Sequence, residues 1–282
     1  MRWVVYSLFC MRSLKAARAL GLLALLIASQ GQATVIVTYA EKPGVETSSL
    51  ANTSTLTFDS LSIGYHSAAN DSALTWSGVG TFDNLDIKSA DVYGGANNTN
   101  YAVVGVGVNT ETTLTLNTPS SYFGLWWSAG DAHNIMDFYS GANGTGTLLA
   151  EFTMANLLKA LPKSYYGNPN PGYNSGKDAT EPFAFINFFG SPGTQWQSVV
   201  LKNDNSTGFE ADNFTSRTTA YNPATDGAMP GVYLESINGT QVAMAAPEPG
   251  SNLAIGVLCG LSVGGSLLRR IRRRAFHCAN PR

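Results

Sequence analysis

Cysteine is almost missing from this 282-residue chain: Cys10, Cys259 and Cys278 lie near its two ends, and residues 34–246 have none. That long middle therefore holds no disulfide, no cysteine nucleophile and no thiolate metal cage. Basic charge is nearly as scarce. Ten of the seventeen Lys and Arg crowd into the ends, leaving Lys42, Lys88, Lys159, Lys163, Lys177, Lys202 and Arg217 between residues 34 and 249. These seven face all nineteen acids, a formal charge of −12. A nucleic-acid partner is excluded for such a body, because phosphate binding needs clustered Lys and Arg. Histidine in the body is limited to His66 and His133, and neither a Gly-x-Ser-x-Gly elbow nor a His-Glu-x-x-His helix occurs. The expectation is a protein without catalytic activity.

Long apolar runs are confined to the ends. "ALGLLALLIA" (19–28) follows a basic stretch ending at Arg18 and precedes "SQGQA", with small residues Gly31 and Ala33 at the places a signal peptidase reads. Residues 1–33 are expected to be a secretory signal peptide. Met1 and Met11 both fit as the start, since 11–33 alone has every part. A permanent anchor is excluded here, because about ten residues cannot cross a bilayer.

At the other end, residues 251–268 are uncharged and apolar or small, about 27 Å as a helix at about 1.5 Å per residue. A transmembrane helix is expected there. Arg269, Arg270, Arg272, Arg273 and Arg274 follow it and stay cytoplasmic by the positive-inside rule, which puts the acidic body outside. Just before the span, Pro247 and Pro249 bracket Glu248 and hold it extended and open to a protease. This Pro-Glu-Pro tripeptide, apolar helix and arginine cluster, together residues 246–282, resemble the PEP-CTERM sorting signal. The resemblance implies a Gram-negative bacterium and export by the general secretion machinery. It also implies a precursor held transiently in the inner membrane and processing by exosortase, a membrane-embedded cysteine protease, with release to the cell surface or extracellular matrix.

Between the flanks, residues 34–245 alternate apolar with polar residues. "TLTF" (55–58), "YAVVGVGV" (101–108), "TTLTLN" (112–117), "YFGLWW" (122–127), "IMDFYS" (135–140), "FAFINFF" (183–189) and "WQSVVLK" (196–202) read as strands, separated by turn clusters such as "SGANGTG" (140–146). One helical turn is expected at 154–161, ended by Pro162. Many short strands with close turns predict an all-β fold, an antiparallel β-sandwich or jelly roll, as a single ectodomain. The aromatic strand ending in Trp127, the "FY-G" hairpin, the "NFF" strand and the closing "FEADN" are also similar to β-sandwich ectodomains of exosortase-dependent surface proteins. That likeness implies location and fold, with a role near exopolysaccharide.

Two ligand sites are legible. Trp126 and Trp127, with Asp131, His133 and Asn134 in the next loop, have the chemistry of a carbohydrate rim, aromatic faces for the ring and polar groups for its hydroxyls. Adjacent strand residues point to opposite faces, so one indole must be covered by a loop or exposed. The loop at 164–182, with Tyr165, Tyr166 and Tyr173, is placed to cover it or to present tyrosines. Glu210 and Asp212 alternate in "GFEADNF" beside Asn213, so on a strand both carboxylates share a face where oxygen ligands suit Ca2+. A solvated strand face explains the same pair. Two further readings stay open, a calcium-dependent lectin-like adhesin and an extracellular carbohydrate-active hydrolase with a carboxylate pair.

Overall fold

The computed structural model describes residues 33–39, 42–107, 109–170, 172 and 179–237. The expected signal peptide, Pro-Glu-Pro motif, apolar span and arginine cluster lie outside them, and no described helix is long and apolar enough to cross a membrane.

Segments in which every second residue is aromatic or aliphatic bury that row and pair sideways, and here they make two sheets in which every pairing is antiparallel. One sheet has nine strands. Its order is β15 (Val232–Ile237), β1 (Val35–Tyr39), β12 (Ala184–Gly190), β9 (Tyr122–Ser128), β14 (Phe209–Arg217), β7 (Tyr101–Val104), β6 (Leu85–Lys88) and β3 (Gly64–His66), with β2 (Ser54–Leu56) paired to the far end of β14. The other runs β11 (Leu148–Thr153), β10 (Asn134–Tyr139), β13 (Trp196–Asn203), β8 (Glu111–Ser120), β5 (Gly80–Phe82) and β4 (Thr75–Trp76). A short helix, α1 (Ala155–Ala160), follows β11, and α2 (Pro223–Asp226) precedes β15.

The sheets pack face to face through aromatic rings, as in a sandwich. Phe123 of β9 and Phe188 of β12 meet Phe138 of β10 with ring centres 6.4 and 4.9 Å apart. Phe188 also meets Phe152 of β11 at 5.3 Å, and Phe82 of β5 meets Phe214 of β14 at 6.0 Å. All are buried, each worth about 1.5–3 kcal/mol of transfer free energy.

The second face of the nine-stranded sheet is also covered. Every residue of β9, β12 and β14 is buried, which alternation alone does not produce. The cover is made of loops: Ala96, Ala129 and Phe183 pack with Trp126 and Phe185, while Leu50 packs with Tyr122 and Phe189. One irregularity sets which side chains face that cover. The register of β14 shifts between Asp212 and Thr215, and Asn213 adopts φ 49°. This β-bulge lets Ala211 and Phe214, three residues apart, both enter the core while Asp212 points outward. Strand β7 ends earlier than the expected 101–108, because Gly105 turns to φ 90° where any Cβ would lie 2.3 Å from that of Asn203.

Candidate functional site

The segment after β9 gathers four of the five residues expected to form a carbohydrate rim. Trp127 Nε1 donates to Asn134 Oδ1 at 2.7 Å, the Asp131 amide donates to the same oxygen at 3.3 Å, and Asn134 Nδ2 donates to the Gly208 carbonyl at 2.7 Å. Asp131 is equally engaged: Oδ1 accepts from the His133 amide at 2.6 Å, and Oδ2 accepts from the Thr207 hydroxyl. Asn203, paired across the strands with Asn134, donates to the same Gly208 carbonyl at 2.7 Å. Together these bonds tie the loop after β9 to the loop before β14. Gly130 is required in this cluster, since a Cβ there would fall 1.9 Å from the Trp127 ring.

Trp126 belongs elsewhere. It points to the opposite face, where Phe183 lies 6.4 Å from it and a loop covers it. Both indoles are buried, at 1% and 0% exposure. The expected stacking surface is therefore absent at these two residues: a loop covers the second tryptophan, and the hydrogen-bonding groups of Asn134 already serve the protein. Of the loop tyrosines, Tyr165 is buried edge-on against Tyr39 at 5.6 Å, Tyr166 bridges to Pro182, and Tyr173 lies outside the described residues.

Glu210 and Asp212 do share a face of β14, the loop-covered one, opposite Ser128 and Trp126. Their surroundings differ from those of a calcium cage. Asp212 Oδ2 accepts from the Ala96 amide at 2.9 Å and Oδ1 from the Asn213 amide at 2.6 Å, while the bulge turns Asn213 so that its Nδ2 donates to the Glu46 carbonyl at 2.7 Å. Among the described residues no three His, Cys, Asp or Glu side chains converge closely enough to hold a metal. Burial pushes the Asp212 carboxyl up to about 8 against the opposing pull of those two amides. It pushes Glu210 well above the carboxylate range, helped by the charges of Glu181, Asp131 and Asp91. Glu46, over the same face, is raised by burial although the Asn97 amide donates to its Oε2 at 2.9 Å.

A third constellation, Ser62, His66 and Asp71, has the residue types of a hydrolytic triad. His66 Nδ1 lies 2.6 Å from Asp71 Oδ2, but Nε2 lies 2.8 Å from the Ser62 carbonyl and 3.5 Å from the Ser62 hydroxyl. Nδ1 faces an acceptor and Nε2 lies nearer the Ser62 carbonyl than the Ser62 hydroxyl, a geometry that favours the imidazolium over a free base. Burial lowers the His66 pKa, yet the Ser62 and Asp71 acceptors outweigh it and the net shift is upward. His133 pairs with Asp204 at 2.7 Å at the surface.

Arg217 and Asp226 form a buried pair, Nη2 to Oδ2 at 2.7 Å, that holds the Asp226 carboxyl at about 2. The guanidinium also donates to the carbonyls of Thr219, Ala220 and Ala51, so the 670 Å3 hollow beside it offers a ligand no free cation. Of these groups, sequence flagged the tryptophan loop and the acidic strand. The His66 cluster was legible only as a histidine, and the Arg217 pair not at all, because its partners come from a loop that no periodicity marks. Comparison with protein-family models, with curated proteins and with solved structures finds no match.

Proposed function

We infer that this chain is an exported, exosortase-processed protein of the bacterial cell surface or extracellular matrix, with a binding or structural role beside exopolysaccharide and no catalytic one. The observation that carries this reading is the ordered tail: Pro247-Glu248-Pro249, an uncharged stretch at 251–268, then Arg269, Arg270, Arg272, Arg273 and Arg274. Behind it stands the charge segregation, an acidic body between basic, apolar flanks, which the positive-inside rule converts into an orientation. The β-sandwich supports it further, since a large aromatic core free of cysteine suits export without reliance on oxidation. The histidines support a non-catalytic role, His66 being held between two acceptors and His133 paired with Asp204.

Processing is tested in the native host with tagged full-length chains. Glu248→Ala, and separately replacement of the five arginines at 269–274 by Gln, are expected to accumulate a larger, membrane-held form while the parent chain matures. Normal maturation of both variants would overturn the assignment.

A further inference from the structure

The loop cover of the nine-stranded sheet leaves a gap over β12. Residues 42–49 and 228–231, with Phe185 and Asn187 of β12, line a cavity of about 320 Å3. Phe185 and Asn187, both outward-facing on β12, form its floor, and Met229 and Val45 add apolar wall. The far bank is fixed from below: Thr38 Oγ1 donates to the Pro230 carbonyl at 2.7 Å, and Gly231, at φ 83°, sits where a Cβ would lie 2.2 Å from the Tyr39 carbonyl. The gap is therefore held open by β1 rather than left by a loose loop.

The floor carries an unmet donor. Tyr122 Oη lies 2.7 Å from Asn187 Oδ1 and 2.6 Å from Ser48 Oγ. A carbonyl oxygen only accepts, so Tyr122 gives its one proton to Asn187 and takes one from Ser48. Asn187 is 2% exposed, and its Nδ2 makes no hydrogen bond among the described residues. The side chain lines the cavity, so this donor is open to an acceptor placed there. Lys42 also lines the cavity, exposed and without an ion pair to any described residue, unlike Lys88, Lys202 and Arg217.

The geometry points to a binding site for a sugar acid, one hexuronate unit of an acidic polysaccharide, in the cavity between residues 42–49 and 228–231. Its ring face would lie on Phe185 and Met229, a ring hydroxyl would accept from Asn187 Nδ2, and its carboxylate would meet Lys42. A fatty acid is disfavoured by the amide and the hydroxyl-rich bank of residues 47–49. A phosphate is disfavoured because Lys42 alone is charged among the described lining residues. The choice of a sugar rests on the matrix reading above.

Titration calorimetry on the purified full chain in detergent tests it, with D-glucuronate and D-glucose as probes. Glucuronate is expected to bind about tenfold more tightly than glucose, the size of one charge-assisted contact. Lys42→Gln should remove that preference, and Ala228→Trp, at an exposed lining position, should abolish binding of both with the circular dichroism unchanged. Equal affinity for the two sugars, no binding of either, or indifference to both substitutions would overturn the site. None of these outcomes bears on the tail, whose processing the Glu248 experiment reads separately.

Discussion

His66 condenses the electrostatics of this protein into one side chain. Its nitrogens are clamped between the Asp71 carboxylate and the Ser62 carbonyl, with Asp86 of β6 adding a further negative charge nearby. An imidazole that loses its proton here must turn a lone pair toward one of two acceptors. The folded-state pKa is thus raised above the ordinary value near 6.5, and the stability it supplies is fully present below that value and lost as pH rises through the folded pKa. NMR of the imidazole protons should give a His66 midpoint above the ordinary value near 6.5. Asp71→Asn should lower it. A His66 midpoint at or below the ordinary value in the parent chain would mean that burial, not the acceptors, governs the site.

At the scale of the element, β14 and its bulge decide what the loop-covered face contains. Asn213 occupies the left-handed region, where a residue with a Cβ ordinarily costs about 1–2 kcal/mol and Asn is among the best tolerated. Its side chain also fastens the 42–49 loop through the Glu46 carbonyl. Asn213→Ala should therefore lose about 2 kcal/mol in urea unfolding. Asn213→Gly, which keeps the backbone and forfeits only the hydrogen bond, should lose about half of that. Equal losses would show that the loop contact alone matters.

The same strand explains how far the sequence could be read. Strands β8, β9, β10, β12 and β13 were legible within two or three residues, because their inward rows are aromatic or branched and their neighbours are turn residues. Strand β11, "LLAEFT", carries no alternation clear enough to separate it from a helix, and β3, β4 and β5 are too short for any period. At the candidate site the shared face of Glu210 and Asp212 followed from strand geometry, but their burial did not. Burial there depends on segments 116 and 167 residues away in sequence, those bearing Ala96 and Glu46, and no local pattern announces that a polar face will be roofed. Trp126 is buried beneath the same loops, whereas Trp127 bonds Asn134 of the opposite sheet.

For the molecule as a whole, that roof makes stability depend on pH in an unusual direction. Most domains gain from ionised carboxylates, and Asp226 behaves so here: held at about 2 by Arg217, it stabilises the fold above its unfolded value near 3.8 and is lost only as pH falls toward 2. Asp212, raised to about 8 by burial, does the reverse. Between its unfolded value and about 8 the native state binds the extra proton, so stability is fully present below the unfolded value and declines as pH rises through that window. The slope for one such group reaches roughly 1.4 kcal/mol per pH unit. Glu210, Glu46 and Glu235 are shifted the same way, and His66 adds its own loss on the alkaline side. The urea midpoint of the parent chain should therefore be higher at pH 5 than at pH 8. Asp212→Asn should shrink that difference while lowering the midpoint at pH 5, because the amide can accept from only one of the Ala96 and Asn213 amides. A parent midpoint that rises from pH 5 to pH 8 would mean that these carboxylates are ionised beneath the loops, with water or a cation reaching them, and that the roof over β14 is open in solution.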